Sequence, residues 1–313
     1  HGNVFAMGAF ANQCDFDPGP GVQNITSSGF NDMYICKLDS LGNFVWVRTL
    51  GASAGDSPWH GTVDDWGNVY LTGFTVDTLD FDPGPGVFAS APMQYHPGFV
   101  LKLNNNGNFV WVKQFLGDSA ASSSPLNVDV DRAGNVLVAG SFVDTVDFDP
   151  GSGTHKLTSD GSSDIFIRKQ DANGNLLWAH RFGDYDSDAA YSVGVDASDN
   201  IYITGTFRYE VDFDPGTGDY TIGNWGSNAG QIFLLKLNAD GDLVSVNAMG
   251  NTSGSSQGLV LAVEPSGLSV ISGTFYGTVD FDPAAGTTNL TANLTTNYDM
   301  FIARYNADGD FSF

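Results

Sequence analysis

The sequence has very little glutamate, lysine or arginine. Of its 36 acidic residues only Glu210 and Glu264 are glutamate, and lysine and arginine together number 12. Glutamate, lysine, alanine and leucine fill the surfaces of helices, whereas aspartate, asparagine and glycine favour turns. The shortage of helix-forming residues therefore excludes a mainly helical protein.

The lack of positive charge and of long apolar runs restricts the partners of this chain. With a net charge of −24, the chain cannot neutralise phosphates, so nucleic acid is excluded and binding to anionic membrane surfaces is disfavoured. No run of about eighteen apolar residues exists, so we expect no membrane insertion. Aromatic residues make up 13% of the 313 residues, enough for a packed core rather than a disordered chain.

The segment Asp-Phe-Asp-Pro occurs five times at a nearly constant period. The copies begin 65 to 68 residues apart, at Asp15, Asp80, Asp147, Asp212 and Asp280. This period is longer than that of common helical solenoids and fits a four-stranded propeller blade. We therefore predict an all-β fold: a β-propeller of about five four-stranded blade equivalents of about 66 residues each, in one domain over residues 1–313.

Four strand patterns recur in each period. They are typified by residues 68–74, 164–169, 43–47 and 193–196. The first of them alternates apolar with small or polar residues, as a half-buried strand should. Aspartate-rich turns such as residues 39–43 resemble cation loops, but they recur wherever two strands join, which favours hairpin geometry. The Phe of each Asp-Phe-Asp, with Trp46, Trp111 and Trp178, is predicted to fill space between adjacent blades.

The repeat is incomplete at both ends of the sequence. The strand pattern of residues 193–196 has only four copies, and the last tryptophan strand is cut to residues 310–313. A closed ring would seat residues 1–10 beside residues 300–313 in one blade. A neighbouring subunit, or another part of a longer exported parent chain, would then supply the missing strand, and repeated head-to-tail contacts would build a fibre. Cys14 and Cys36 are predicted to lie on one antiparallel hairpin, either as a disulfide or as two free thiols.

The third copy of the motif resembles a known repeat. Residues 140–153 read Gly-Ser-Phe-x-x-Thr-Val-Asp-Phe-Asp-Pro-Gly-x-Gly, and Leu-Thr-Ser, Asp-Ile-Phe-Ile and Asp-Ala-Asn-Gly-Asn-Leu-Leu-Trp-Ala follow. This pattern is similar to the SBBP-type β-propeller repeat of secreted and surface proteins of bacteria. The resemblance implies an exported propeller module without a particular enzymatic activity. The fifth copy departs from the pattern at Ala284, where the others have Gly.

The paired aspartates predict a Ca²⁺ site. Residues i and i+2 of an extended strand point to the same side, so each motif projects two carboxylates together. The second aspartate is explained as the cap of a Pro-Gly turn, but the first is not. Ca²⁺ takes six to eight oxygens, and a third aspartate opens the next strand in three copies. The candidate ligands are Asp15, Asp17, Asp80, Asp82, Asp147, Asp149, Asp212, Asp214, Asp280, Asp282, Asp32, Asp164 and Asp299.

Catalysis has little support in the sequence. The five histidines fall at unrelated positions of the repeat, and a motif present in every blade is scaffold by default. We therefore expect no enzyme but an extracellular, structural or adhesive surface module that associates with itself or with its parent protein. The alternative is a receptor for a glycan or a protein; a carbohydrate-active enzyme is a third. Residues 224–230, with one tryptophan, form the nearest candidate ligand loop.

Overall fold

A computed structural model describes residues 2–75, 77–90, 97–117, 121–149, 151, 153–223, 229–250, 255–283, 286–293 and 298–313. Throughout these ranges the chain forms strands and turns, with no helical residue. The all-β prediction is therefore confirmed. The chain divides into two compact units, residues 1–128 and 129–313. The prediction of one domain over the whole chain stays a prediction.

Each repeat supplies up to four main strands, which we call A, B, C and D in chain order. The A strands are β6 (Ser57–Val63), β11 (Ser122–Val130), β17 (Ala189–Val195) and β23 (Ser255–Val263). The B strands are β1 (Val4–Phe10), β7 (Val69–Phe74), β12 (Val136–Val143), β18 (Ile201–Phe207) and β24 (Ser269–Tyr276). The C strands are β4 (Asp32–Leu38), β8 (Gly98–Leu103), β15 (Asp164–Gln170), β21 (Gln231–Leu237) and β27 (Asp299–Tyr305). The D strands are β5 (Phe44–Leu50), β9 (Phe109–Gln114), β16 (Leu176–Phe182) and β22 (Leu243–Met249).

The main strands form antiparallel blade-type sheets within each unit. Residues 1–128 contain the sheets β1-β4-β5 and β6-β7-β8-β9, and residues 129–313 contain β12-β15-β16, β17-β18-β21-β22 and β23-β24-β27. The A strand β11 includes the boundary between the units. The first sheet therefore has no A strand among the described residues. The last sheet has no D strand there, only a bridge between Tyr305 and Phe311. Both gaps were predicted from the sequence.

Short hairpins follow the B strands and were not predicted. The Asp-Phe-Asp-Pro motif lies at the turn of each hairpin, and its first Asp is the last residue of the first short strand. The hairpin strands are β2 (Gln13–Asp15), β3 (Asn24–Thr26), β13 (Thr145–Asp147), β14 (Lys156–Thr158), β19 (Glu210–Asp212), β20 (Thr221–Gly223), β25 (Thr278–Asp280) and β26 (Asn289–Thr291). In the second repeat an Asp80–Ala89 bridge takes this place. A further short strand, β10, spans Leu116–Gly117.

The aromatic residues of the motif pack where the sequence placed them. Phe213 is fully buried, 5.5 Å from the Phe207 ring of its B strand and 5.2 Å from the Phe233 ring of its C strand. It also stacks on Phe182, the last residue of the preceding sheet, at 5.6 Å. The motif phenylalanine therefore joins one sheet to the next, which confirms its predicted packing role.

The aspartate-rich turns are hairpin turns. Asp39 Oδ1 accepts hydrogen bonds from the backbone N–H groups of Leu41 and Asn43, and Gly42 has a φ of 83°. Glycine takes that left-handed conformation without steric cost. The hairpin interpretation is confirmed, because both oxygens of Asp39 face the turn itself.

The two cysteines do not share a hairpin. Cys14 lies in β2 and pairs with Ile25, whereas Cys36 lies in β4 between Ala6 and Val47. The prediction of one hairpin is wrong, because β2 turns out of the main sheet into the short β2-β3 hairpin. Both thiols are free, and burial raises the pKa of Cys36.

Candidate functional site: the Asp-Phe-Asp-Pro turns and the open edge of the first sheet

The first aspartate of the motif holds the two ends of its turn together. Asp147 Oδ1 accepts hydrogen bonds from the backbone N–H groups of Asp149, at 3.0 Å, and His155, at 2.9 Å. The same pair of bonds, to residues i+2 and i+8, occurs in every copy, at Asp15, Asp80, Asp212 and Asp280. These bonds give the first aspartate a structural role, which the turn sequence alone did not explain.

The second aspartate of the motif explains why glycines follow it. Asp214 Oδ1 accepts a hydrogen bond from the Gly216 N–H at 2.8 Å, and Oδ2 would lie 2.0 Å from a Cβ placed on Gly218. Gly21, Gly86, Gly153 and Gly286 would carry a Cβ equally close to their aspartates, between 2.0 and 2.2 Å. This second glycine is therefore required in all five copies. Position 284, where the fifth copy has Ala, lies outside the described residues.

The third aspartate of the predicted ligand set closes a different loop. Asp164 is fully buried, and its Oδ2 accepts hydrogen bonds from the Asp160 N–H and from Nη1 of Arg181. Asp32 Oδ2 binds the Ser28 N–H, and Asp299 Oδ2 binds the backbone and side chain of Asn293. These bonds explain the third aspartate as a loop anchor, which the sequence analysis missed.

The described part of the chain contains no group of three or more histidine, cysteine, aspartate or glutamate side chains arranged to hold a metal ion. One repeat does contain a counter-charge that the sequence analysis missed. The guanidinium of Arg168 is fully buried, donates from Nε to the Phe148 carbonyl at 2.7 Å, and is close enough to Asp149 for their charges to attract. Burial lowers the pKa of Arg168 to about 10, and Asp149 opposes that effect.

Removing the carboxylate clamp should loosen its turn. We expect Asp147→Ala, measured in EDTA, to lower the free energy of unfolding by about 1–3 kcal/mol, because two backbone N–H groups lose a charged acceptor. Asp147→Asn keeps an Oδ1 acceptor and serves as the matched control, so it should retain most of the stability. Urea unfolding followed by tryptophan fluorescence measures both variants. Equal losses in the two variants would show that the clamp does not stabilise the turn.

A buried carboxylate in the fourth repeat should make stability depend on pH. Asp188 is fully buried, and its oxygens accept hydrogen bonds from the N–H groups of Asp184 and Arg208. Burial raises the pKa of Asp188 from 3.8 to about 7, although these hydrogen bonds oppose the shift. Between these two pKa values the native state holds a proton that the unfolded state has released. The contribution of Asp188 to the free energy of unfolding is therefore largest below pH 4, and it falls as the pH rises to 7.

Asp188→Asn cannot release that proton. In the parent chain the free energy of unfolding should decline between pH 4 and 7 by at most about 4 kcal/mol because of this one group. We expect the variant to lose much of that decline. The decline is measured by urea unfolding at several pH values, and the comparison uses its slope rather than the absolute stability. An unchanged slope in the variant would contradict the assignment.

The open edge of the first sheet is the second candidate site. Among the described residues β1 is hydrogen-bonded to β4 on one side only, and its residues are more exposed than those of the matching β18. A cavity of about 310 Å³ lies against this edge, lined by Phe5, Met7 and Gly8 of β1 and by residues 58–61 of β6. Trp59, 43% exposed, packs edge-on against Phe74 at 5.9 Å beside this cavity. Burial lowers the pKa of His60, which also lines it.

Gly8 occupies the position of Gly205 and Gly273 in the fourth and fifth repeats. In those repeats the position requires glycine, because an A strand lies directly beside it. A Cβ on Gly205 would lie 2.0 Å from the Ala189 carbonyl oxygen of the A strand, and one on Gly273 would lie 1.9 Å from the Gln257 oxygen. Both A strands contain a bulge just past this point. The atoms nearest to a Cβ on Gly8 would instead belong to the Tyr34 side chain, at 3.1 Å and beyond.

Comparison with known proteins supports the fold class. The chain is 24% identical over 347 aligned residues to the "Uncharacterized WD repeat-containing protein L264" of Acanthamoeba polyphaga mimivirus, and the match covers 93% of the chain. WD repeats are propeller blades of four strands, as are the complete sheets described above. The fold is a β-propeller.

The propeller covers only part of that relative, since the chain spans about a quarter of its length. No family model matches the chain. Among solved structures, a protein of unknown function from Bacteroides caccae aligns over 92% of this chain and 90% of its own, with 9% identity and a TM-score of 0.33.

Proposed function

We propose that this chain is a non-catalytic, extracellular β-propeller, a structural or adhesive module of a cell surface. Completion of its open first sheet by another subunit would assemble it into a filament. We also assign its repeat to the SBBP-type family. The described residues contain no helix able to cross a membrane, and we assign no reaction to the chain.

The open B strand of the first sheet carries this proposal. Gly8 supplies the space that a bulged A strand occupies in the fourth and fifth repeats, although the described part of the chain places no A strand beside it. An unpaired strand edge is a template for strand addition, in which backbone hydrogen bonds provide the affinity. The adjoining cavity of about 310 Å³ leaves room for incoming side chains.

A peptide of the A-strand type tests the open edge. We expect a peptide with the sequence of residues 187–197 to raise the melting temperature of the chain and to slow amide exchange in β1, since a ligand of the native state alone stabilises it. A scrambled peptide is the control. Absence of both effects would refute strand addition. Labelling of intact producing cells with an antibody tests the surface location, and labelling only after lysis would contradict it.

Ca²⁺ is part of the same proposal, with the paired aspartates as ligands. We expect EDTA to lower the melting temperature and Ca²⁺ to restore it. Asp147→Asn keeps the turn clamp and removes one charge, so it should weaken the Ca²⁺ effect without a large loss of stability in EDTA. No response to EDTA, together with no Ca²⁺ in elemental analysis, would remove the ion from the proposal.

One observation favours the alternative of a glycan receptor. Trp59 is 43% exposed beside the cavity of about 310 Å³, and an exposed indole ring offers an apolar face to a sugar ring. Tryptophan fluorescence during titration with a panel of oligosaccharides tests this function, with Trp59→Ala as the matched variant. A saturable change that the variant loses would favour the receptor over the structural module.

A further inference from the structure

Two tyrosines interrupt the repeat symmetry beside the fourth sheet. Tyr185 lies in the loop between β16 and β17, and Tyr209 lies just after β18. Their ring centroids are 4.8 Å apart with 31° between the ring planes, and Tyr185 is 52% exposed. The fourth sheet packs against both the third and the fifth, so a missing neighbouring sheet does not account for the exposed ring.

The matching contact in the first unit is small and polar. There Ser53 Oγ donates a hydrogen bond to Asp77 Oδ2. These residues stand three positions before a buried aspartate and three positions before an Asp-Phe-Asp-Pro motif, as Tyr185 and Tyr209 do. The sheet packing is therefore compatible with a serine and an aspartate at this place, and the two tyrosines are a local departure from the repeat.

Tyr209 has a backbone conformation that tyrosine rarely adopts. Its φ is 56°, and the matching residues with positive φ in other repeats are Asn12, Asp144 and Gly277. Asparagine, aspartate and glycine reach this left-handed region readily, whereas a bulky aromatic residue there is an outlier. Outliers of this kind cluster at ligand sites, where the surrounding structure holds them. The conformation therefore marks Tyr209 as a candidate ligand-binding residue.

Backbone contacts hold the Tyr185 loop in place. Asp188 accepts hydrogen bonds from the N–H groups of Asp184 and Arg208, which ties the loop to the end of β18. A Cβ on Gly161 would lie 2.1 Å from the carbonyl carbon of Tyr185, so the segment before β15 packs directly against the loop. The Tyr185 ring is therefore presented from a fixed backbone, and such preorganisation lowers the entropy cost of binding.

Polar groups that can bind hydroxyls lie beside the two rings. Nη1 of Arg208 lies 3.5 Å from Asp186 Oδ1, and their side chains are 41% and 25% exposed. A hydrogen bond with the Tyr209 hydroxyl raises the pKa of Tyr185 to about 12, and the charges of Asp184 and Asp186 act in the same direction. The Tyr185 hydroxyl therefore stays protonated at neutral pH, and Asp186 is near enough to it to contact the same ligand.

The charge around the tyrosine pair favours a neutral ligand. Residues 183–188 and 208–210 contain four carboxyl groups and one guanidinium, so they would repel phosphate, sulfate and uronate groups. A neutral sugar ring has the matching chemistry, because its C–H face packs on an aromatic ring and its neighbouring hydroxyls pair with adjacent donors and acceptors. Arg208 and Asp186 supply a donor and an acceptor side by side.

We propose that Tyr185 and Tyr209, with Arg208 and Asp186, form a binding site for a neutral oligosaccharide. The rings stack on the sugar, and the ion pair binds its hydroxyls. This inference rests on the adhesive role proposed above, to which it gives a ligand, and it uses residues other than Trp59 and the edge strand β1. Residues 224–228, in the candidate ligand loop of the sequence analysis, lie outside the described residues and are not part of this site.

Isothermal titration calorimetry of the purified chain tests the site with neutral oligosaccharides of glucose, mannose, galactose, xylose and N-acetylglucosamine. We expect saturable binding of at least one of them, and we expect Tyr185→Ala to raise its dissociation constant at least about tenfold, as for an aromatic residue central to an interface. Tyr185→Phe keeps the ring and should change the affinity far less. Tyr220→Ala, at a residue 49% exposed on the motif turn of the same repeat, is the matched control and should leave the affinity unchanged.

A double variant separates lost binding from lost folding. Tyr185→Ser with Tyr209→Asp reproduces the Ser53–Asp77 pair, so the chain should keep its melting temperature and lose the sugar. Trp59→Ala should bind the sugar like the parent chain.

Three results would overturn this inference: binding of none of the sugars, equal binding by the double variant, or tighter binding of a uronate-containing oligosaccharide. Loss of binding in Trp59→Ala with full binding by the double variant would assign the sugar to the cavity beside Trp59 instead. Antibody labelling of intact cells and binding of the A-strand peptide are separate readouts. Failure of this site would therefore leave the surface location and strand addition standing.

Discussion

Gly205→Ala is expected to destabilise the chain by about 3 kcal/mol or more, a loss typical of overpacking that the backbone cannot relieve. The new Cβ would lie 2.0 Å from the Ala189 carbonyl oxygen of the neighbouring A strand. Gly8→Ala, at the matching position of the first sheet, should change stability by less than about 1 kcal/mol, because the atoms nearest to its Cβ belong to the Tyr34 side chain, at 3.1 Å and beyond, and not to a backbone carbonyl.

The two glycine variants form a matched pair, since both change the same position of the repeat. Urea unfolding monitored by circular dichroism measures both, at a concentration low enough to keep the chain monomeric. Equal losses would mean that an A strand lies beside β1 as it lies beside β18. A small loss in Gly205→Ala would mean that the A strand of the fourth repeat is placed differently.

Phe213→Ala should cost about 3–5 kcal/mol, the usual loss for a buried phenylalanine. The ring contacts Phe207 and Phe233 of its own sheet and stacks on Phe182 of the sheet before it, so the cavity would open between sheets. Phe213→Leu keeps most of the volume and should cost less than about 1.5 kcal/mol.

Comparing Phe213→Ala with Phe16→Ala measures how much the contact between sheets contributes to the free energy of unfolding. Phe16, in the first repeat, contacts Phe10 and Tyr34 of its own sheet. No described sheet precedes the first one, so Phe16 has no described stacking partner equivalent to Phe182. We therefore expect the smaller loss from Phe16→Ala in urea unfolding. A larger loss at Phe16 would contradict the view that this ring joins consecutive sheets.

The repeat predicted the architecture because its spacing is regular and its strands alternate. The five copies gave the number of sheets, the aromatic positions gave the packing, and the missing strand patterns at both ends gave the three-stranded first and last sheets. The short hairpins were missed because their strands, such as Lys156–Thr158, have only three residues and no distinct alternation. Cys14 was misplaced for the same reason, since it lies in such a hairpin strand.

The candidate site was less predictable, because its contacts join residues that sequence spacing does not relate. The first aspartate binds an N–H eight residues on, across a turn whose shape the sequence did not define. The buried Arg168 beside Asp149 has no counterpart in the other repeats, where Cys36, Leu101, Leu235 and Ala303 occupy its position. Gly8 did offer a signal, since it aligns with the B-strand glycines, but its meaning depended on the A-strand carbonyl that only the structure shows.

The first sheet has an open B-strand edge, and amide exchange of β1 in the dilute, monomeric chain tests this most directly. Because alternate N–H groups of a strand point to opposite sides, about half of the β1 amides should exchange rapidly. Nearly all amides of β18, which has neighbours on both sides, should stay protected. Protection of β1 equal to that of β18 in a monomer would contradict the open edge.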